Sequence, residues 1–157
     1  MRYSSICLAG TFDGIHAGHE ALLRKAFDVG QHVLIGVTSD NYVSSFKVPR
    51  LPKSPRSLIS SYDKRKQALT RWLESHGYLS RATIIPIDDP FEPAASDPKL
   101  DALVVSEETR DRGEELNVLR KSRGLTPLTL IVIPMVRAKD YAPVSATRIR
   151  SGEIDAV

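Results

Sequence analysis

Short apolar runs alternate along this chain with longer segments whose apolar residues recur at helical spacing, and this alternation constrains the fold most. The runs are nearly continuous in apolar residues, which is typical of parallel strands covered by helices on both faces. They predict strands at 4–10, 32–37, 82–87, 103–105 and 128–136. The sequence therefore predicts an α/β fold, a single Rossmann-like, doubly wound domain over residues 1–157 with a five-stranded parallel sheet.

The segments between these runs predict the helices and loops. Helices are expected at 17–29, between Ser60 and Gly77, at 107–123 and at 145–151, with a short helix through Tyr42 and Val43 for which residues 38–40 supply the cap. Ser60 and Asp63 have the spacing of a capping box at the start of the third helix. Residues 47–60 and 88–99 each contain three prolines, so the first predicts a long loop and the second a structured loop.

Composition limits the class of protein. The chain of 157 residues suits one domain, and its single cysteine, Cys7, excludes an intrachain disulfide and favours a reducing, cytoplasmic setting. No apolar stretch is long enough to span a bilayer, so no membrane partner is expected. The net charge is +3, and seven basic residues lie between positions 47 and 66 with Asp63 as the only acid. That run favours an anionic partner, although a solvated basic loop leading into a helix is an equal alternative.

The turn after the first predicted strand is where this fold class binds phosphates, and here it is rich in glycine and histidine. Residues 10–19 are Gly-Thr-Phe-Asp-Gly-Ile-His-Ala-Gly-His, and neither the P-loop nor the G-x-G-x-x-G pattern is present. Gly10, Gly14 and Gly18 let the backbone approach a ligand closely. His16 and His19 are three residues apart, so we expect them on one face of the helix start, beside N–H groups that favour an anion. Their imidazole N–H groups suit stabilisation of charge on a phosphoryl group.

Two simpler interpretations of these histidines stay open. One is a metal site, but two histidines with only Asp13 nearby make a poor zinc set. The other is that the histidines cap the helix. Two histidines in a glycine-rich turn after a buried strand favour phosphate chemistry over both.

Residues 10–19 resemble the signature of the HxGH nucleotidyltransferase superfamily, which is related to class I aminoacyl-tRNA synthetases. A second signature of that superfamily is similar to residues 144–150, Val-Ser-Ala-Thr-Arg-Ile-Arg. Ser145, Thr147 and Arg150 match it, whereas Ala146 stands in place of a serine. The resemblance implies that this helix start holds the β- and γ-phosphates of a nucleotide.

The segments at 89–98, 103–109, 117–124 and 133–135 resemble phosphopantetheine adenylyltransferases of the archaeal and eukaryotic type. The least similar segment is 47–60. The resemblance implies transfer of adenylyl from ATP to 4′-phosphopantetheine, with dephospho-coenzyme A and pyrophosphate as products. It implies Mg²⁺ bound with ATP and no dedicated protein cage for the metal, Asp13, Asp88 and Asp89 being weak candidate ligands.

The resemblance also implies a role for each site residue. His19 is expected to donate to the α-phosphate, His16 to contact the nucleotide phosphates, and Thr11 to bind the reacting phosphate. Lys47 is the expected cation between the two substrates' phosphates, with Arg50 and Lys53 as alternatives. The remaining nucleotide-binding candidates are Gly10, Phe12 and Gly18 in the first motif, Ser145, Thr147 and Arg150 in the second, and Ser106, Glu107 and Thr109 for adenosine. For Glu107 and its neighbour Glu108, an ordinary role as acids at a helix start is an equal alternative.

Two rival functions remain. The acceptor could instead be nicotinamide mononucleotide, or a phosphorylated alcohol with CTP as donor, which residues 89–109 argue against. A non-catalytic nucleotide or RNA binder of the same fold is the other rival. RNA binders interleave aromatic and basic residues, and the basic region has only Phe46 and Tyr62. We therefore expect no nucleic-acid partner.

Overall fold

The predicted parallel sheet is present. The structure is a computed structural model, and it describes residues 2–44 and 59–134. Five strands pair in the order β3-β2-β1-β4-β5, and every pair is parallel. Their bounds are β1 Tyr3–Gly10, β2 Gly30–Thr38, β3 Ala82–Ile87, β4 Ala102–Ser106 and β5 Thr129–Ile133. The α/β prediction is confirmed, and β2 and β4 each extend beyond the predicted runs.

Helices connect these strands within the described part of the chain. They are α1 Ala17–Val29, α2 Asp40–Tyr42, α3 Tyr62–Ser75 and α4 Arg110–Ser122, with a 3₁₀ turn at Leu79–Arg81. None of those found in residues 2–44 and 59–134 is long and apolar enough to cross a membrane. The loop predicted at 47–60 falls almost wholly outside the described residues, as does the helix predicted at 145–151.

The capping residue predicted for α3 is wrong by one position. Ser61, not Ser60, is the N-cap, and its hydroxyl accepts the Lys64 N–H at 3.3 Å. Ser60 instead donates its N–H to the Asp13 carboxylate, and its carbonyl accepts from Arg65. With two adjacent serines, these contacts with distant residues decide which one caps the helix.

The predicted start of α4 is wrong by three residues. Positions 107–109 form a turn, and the helix begins at Arg110. Ser106 donates its N–H to the Thr109 hydroxyl at 3.0 Å, and the Thr109 N–H donates to the Ser106 hydroxyl at 3.3 Å. Short hydroxyl side chains compete in this way with helical hydrogen bonds. The loop predicted at 88–99 is confirmed, since Asp89 Oδ1 accepts the N–H groups of Phe91 and Glu92.

The core lies on both faces of the sheet. On one face, α1 packs on β1 and β2, and α3 packs on β2 and β3. The residues in this cluster include Leu8, Leu23, Ile35 and Leu69. On the other face, a smaller cluster joins Cys7, Leu103 and Val105 to Leu116 of α4. The first three strands run outward from the centre of the sheet, from β1 to β3. The fourth strand, β4, then lies on the other side of β1. The chain therefore changes direction between β1 and β4, and in this fold class such a point marks the ligand crevice.

Candidate active site

A cavity opens at the carboxyl edge of the sheet, and the ends of all five strands line it. Their contributions are Gly10 and Thr11 after β1, Thr38 of β2, Ile87 of β3, Ser106 of β4 and Ile133 of β5. Among the candidates in the described residues, Gly10, Thr11, His16, Gly18, His19, Ser106 and Thr109 line this cavity. The structure thus brings together most of the first motif and the end of β4.

His16 lies just before α1 and caps it. Its Nδ1 accepts the N–H groups of Gly18 at 3.0 Å and His19 at 3.4 Å. The expectation of two histidines on the helix and free amides beside them therefore needs correction. Two of those amides are occupied by the His16 ring, and the ring itself is the group presented at the helix start.

The other nitrogen of His16 is a buried donor. Because Nδ1 accepts, the proton of the neutral ring is on Nε2. His16 is 3% exposed, and its Nε2 has no hydrogen-bond partner among the described residues. Burial lowers the pKa of His16 from 6.5 to about 4, although Glu20 opposes this shift. The ring is therefore neutral near pH 7, and His16 lines the cavity at the positive end of α1.

His19 is fixed by contacts on two sides. Its Nδ1 lies 3.1 Å from the Gly14 carbonyl oxygen, and because a carbonyl only accepts, this nitrogen carries a proton. The His19 ring stacks on His16 with 3.8 Å between centroids and meets the Phe12 ring at 4.8 Å. These contacts set the plane of the imidazole before any ligand binds.

Thr11 and Phe12 have opposite orientations. Thr11 lines the cavity, and its hydroxyl is buried with no hydrogen-bond partner in residues 2–44 and 59–134. Phe12 has a φ of 55°, its ring is fully buried in the core, and the ring is absent from the cavity lining. The ring closes against Gly10, where a Cβ would lie 3.1 Å from Phe12 Cε2. Any contact of Phe12 with a nucleotide would thus involve its backbone, and that role stays a prediction.

In the turn after β4, the side chains expected to contact adenosine are arranged in a way that the sequence did not predict. The hydroxyls of Ser106 and Thr109 lie 3.2 Å apart and bond to each other's backbone N–H, although both residues line the cavity. Glu107 is exposed and does not line the cavity, whereas Glu108 does. Sequence reasoning also missed Arg112, in the first turn of α4, which lines the cavity too.

An apolar wall extends from the histidines across β2 and β3, and the sequence analysis did not single it out. It is formed by Leu34, Gly36, Ile85, Ile87, Phe91 and Pro93. Leu34 and Gly36 alternate along β2 with core-facing Val33 and Ile35, so they lie on the opposite face of the sheet. This alternation along β2 was the feature of the sequence that separates the wall residues from the core residues.

The three carboxylates named as weak candidate metal ligands already have protein partners. Within residues 2–44 and 59–134, no group of three His, Cys, Asp or Glu side chains could hold a metal ion. Asp13 accepts from the Ser60 N–H, Asp88 from the Ser39 hydroxyl and Asp89 from two backbone N–H groups. The predicted phosphate ligands Lys47, Arg50, Lys53, Ser145, Thr147 and Arg150, with Ala146, lie outside the described residues.

Comparison with known proteins gives the family. The model of the cytidylyltransferase-like family matches residues 7–152. The phosphopantetheine adenylyltransferase of Methanopyrus kandleri is 36% identical over 98% of this chain and 92% of its own length. That of Methanothermobacter thermautotrophicus is 39% identical over 98% of this chain and 87% of its own. A solved structure of a protein of unknown function from Archaeoglobus fulgidus has a TM-score of 0.68 and 25% identity, covering 85% of this chain and 89% of that one. The chain belongs to the phosphopantetheine adenylyltransferases of the cytidylyltransferase-like family.

Proposed function

We propose that this protein transfers adenylyl from ATP to 4′-phosphopantetheine, giving dephospho-coenzyme A and pyrophosphate. One observation carries the proposal of phosphate chemistry. Thr11 Oγ1 and His16 Nε2 are buried polar atoms without partners in the described part of the chain, and both residues line one cavity. Buried polar atoms are normally paired, so two unpaired ones in a cavity mark where ligand oxygens would complete the hydrogen bonds. The names of the curated relatives support the choice of acceptor.

The reaction needs no nucleophile from the protein. A phosphate oxygen of the acceptor attacks the α-phosphorus of ATP and forms a new P–O bond. The bond from the α-phosphorus to the α,β-bridging oxygen breaks, and pyrophosphate leaves with that electron pair. Catalysis then consists of placing two anionic substrates and stabilising the charge on the transferring group.

The two histidines divide this work. His16 donates its Nε2–H to a phosphate oxygen as a neutral group. His19 uses Nδ1–H on Gly14, so its contact with the α-phosphate goes through Nε2, and that nitrogen needs its own proton. The His16 ring on which His19 stacks is neutral near pH 7, so it places no second positive charge beside His19.

The apolar wall suits the pantetheine arm. Leu34, Ile85 and Phe91 line the cavity beyond the histidines. A long, uncharged arm that ends in a thiol gains from burial against such a surface. Nicotinamide mononucleotide carries a charged aromatic ring in place of this arm, and burying a charge against an apolar surface is costly.

Other parts of the proposal rest on residues outside the described ranges or on the family. We expect Lys47, with Arg50 and Lys53 as alternatives, to bridge the substrates' phosphates, and Ser145, Thr147 and Arg150 to hold the β- and γ-phosphates. Mg²⁺ would enter as the complex with ATP, held by phosphate oxygens and water. The cysteine content favours the cytoplasm as the site of action.

The test is pyrophosphate release with each pair of donor and acceptor. ATP with 4′-phosphopantetheine is expected to give the highest kcat/KM, and nicotinamide mononucleotide or CTP with a phosphorylated alcohol to give little. The His19→Ala variant should lose about 10²–10³-fold in kcat. Its kcat is measured where urea unfolding shows the variant to be folded, because the substitution also removes the ring contacts of His19 with Phe12 and His16. Preference for another acceptor would refute the substrate, and near-normal turnover by His19→Ala would refute the mechanism.

A further inference from the structure

Arg65 is a buried cation directly behind the cavity. It belongs to the basic run at 47–66, for which the sequence left an anionic partner and a solvated loop open, yet it is 1% exposed. Its neighbours Lys64 and Lys66 are exposed. Arg65 lies one and two helical turns before Leu69 and Leu73, both fully buried. It therefore extends the buried stripe of α3 to the sheet's carboxyl edge.

The hydrogen bonds of Arg65 join the ends of two neighbouring strands. Nη1 donates to the Thr11 carbonyl at 2.9 Å, to the Thr38 carbonyl at 2.7 Å and to the Thr38 hydroxyl at 3.2 Å. Nε donates to the Ser60 carbonyl at 2.9 Å, and Nη2 to Asp40 Oδ1 at 3.1 Å. Thr11 and Thr38 line the cavity, whereas Arg65 does not. One guanidinium thus holds the segments after β1 and β2 in a fixed relation from behind.

The bond to Thr11 also fixes the direction of a peptide in the first motif. In a trans peptide the carbonyl and the next N–H point in opposite directions, so the Thr11 carbonyl bound to Arg65 aims the Phe12 N–H away from it. Phe12 has a φ of 55°, which a bulky residue rarely adopts. The buried ring of Phe12 on one side and Arg65 on the other maintain that conformation. Thr11 Oγ1 and the following turn up to His16 depend on it.

We propose that Arg65 is a positioning residue for nucleotidyl transfer, which sets the Thr11–Phe12 peptide and thereby places Thr11 and His16 against the phosphates. The proposal rests on the proposed function of the same cavity. A planar fork is needed to reach Ser60, Thr11, Thr38 and Asp40 together, which the single ammonium of lysine cannot do. Loss of the fork should displace the phosphate-binding groups without removing any of them.

The experiment compares Arg65→Lys and Arg65→Met with the matched pair Arg120→Lys and Arg120→Met. Arg120 is also 1% exposed and donates to three backbone carbonyls, those of Thr126, Ala94 and Asp97. Urea unfolding is measured first, and kcat and KM for ATP follow under conditions where every variant is folded. Both arginines should lose stability, but only Arg65 should lose kcat, by about 10²-fold for methionine and about 10-fold for lysine. With saturating acceptor the Arg120 variants should keep their kcat within about threefold of wild type, since they leave the first motif intact. Saturation is needed because Arg120 holds the loop that carries Phe91 and Pro93 of the apolar wall.

A second readout does not depend on the acceptor or on activity. In ¹H–¹⁵N spectra of the ligand-free protein, the Arg65 variants should shift the amide signals of residues 10–19, and the Arg120 variants should not. Unchanged kcat and unchanged signals in a folded Arg65→Lys protein would overturn the proposal. If Arg65→Met does not fold, the lysine variant alone decides. A wild-type protein that releases no pyrophosphate would refute the proposed function, whereas the amide signals would still test whether Arg65 positions the motif.

Discussion

Replacing His16 by asparagine separates its two roles, because asparagine can cap a helix and cannot donate from the position of Nε2. The side-chain oxygen of the introduced asparagine can accept the Gly18 and His19 N–H groups that Nδ1 accepts now. The substitution also removes a buried N–H that lacks a partner among the described residues of the ligand-free protein. A hydrogen bond to a charged group contributes about 1.5–3 kcal/mol, and each 1.4 kcal/mol is a factor of about ten. We therefore expect kcat/KM for ATP to fall by about 10–150-fold.

Stability should respond differently to asparagine and alanine. His16→Asn keeps the cap but loses the stacking on His19, so we expect its free energy of unfolding to fall by about 1 kcal/mol. His16→Ala loses the cap as well, and should be less stable than the asparagine variant by about 1 kcal/mol. Activity should fall to a similar extent in both.

The assay combines pyrophosphate release at varied ATP with urea unfolding of all three proteins. Turnover by His16→Asn within twofold of wild type would show that Nε2–H does not contact a phosphate. An asparagine variant no more stable than the alanine variant would refute the capping geometry.

Three further predictions concern pH, packing and the thiol. Burial lowers the pKa of His16 from 6.5 to about 4, so as the pH falls the unfolded chain binds a proton at this residue before the folded protein does. The contribution of His16 to the free energy of unfolding is therefore complete above pH 6.5 and is lost as pH falls towards 4, by at most about 3 kcal/mol. Urea unfolding at pH 7, 5 and 4 tests this, and an equally steep pH dependence in His16→Asn would contradict it. Gly30→Ala should lower the free energy of unfolding by about 1–3 kcal/mol, because the added Cβ would overlap the Ile6 Cγ2 methyl in the core; an unchanged unfolding midpoint would argue against this close approach. Burial raises the pKa of Cys7 to about 12, so the native protein should not react with a disulfide reagent at pH 8, whereas protein unfolded in urea should react completely; rapid labelling of the native protein would be inconsistent with a buried Cys7.

The sheet could be predicted because apolar residues pack on both of its faces, so the strands are mostly apolar even where the edge strands β3 and β5 are only partly buried. The errors in secondary structure fall at helix starts, where other hydrogen bonds compete with those of the helix. Ser60 and Ser61 are equivalent as capping residues in sequence, and contacts with Asp13 and Arg65 decide between them. The Ser106–Thr109 turn delays α4 by a similar local competition.

The motif at residues 10–19 was recognisable from its sequence, but the separate roles of its two histidines were not. Residue spacing does not show whether His16 caps the helix or contacts a ligand, because one ring nitrogen can cap while the other contacts the ligand. Arg65 was grouped with solvated lysines by charge, although its spacing to Leu69 and Leu73 already placed it on the buried face. The alternation along β2 separates the two faces of the strand, but the apolar wall was missed because the pattern does not say which face carries a ligand and which carries a helix.

The central claim is tested most directly by the mass of the product. The protein is incubated with ATP, Mg²⁺ and 4′-phosphopantetheine, and the mixture is analysed by mass spectrometry beside a reaction that contains His19→Ala. The account predicts dephospho-coenzyme A in an amount equal to the pyrophosphate released, and far less of both with the variant. Absence of dephospho-coenzyme A from the wild-type reaction, under conditions where the protein is folded and binds ATP, would contradict it.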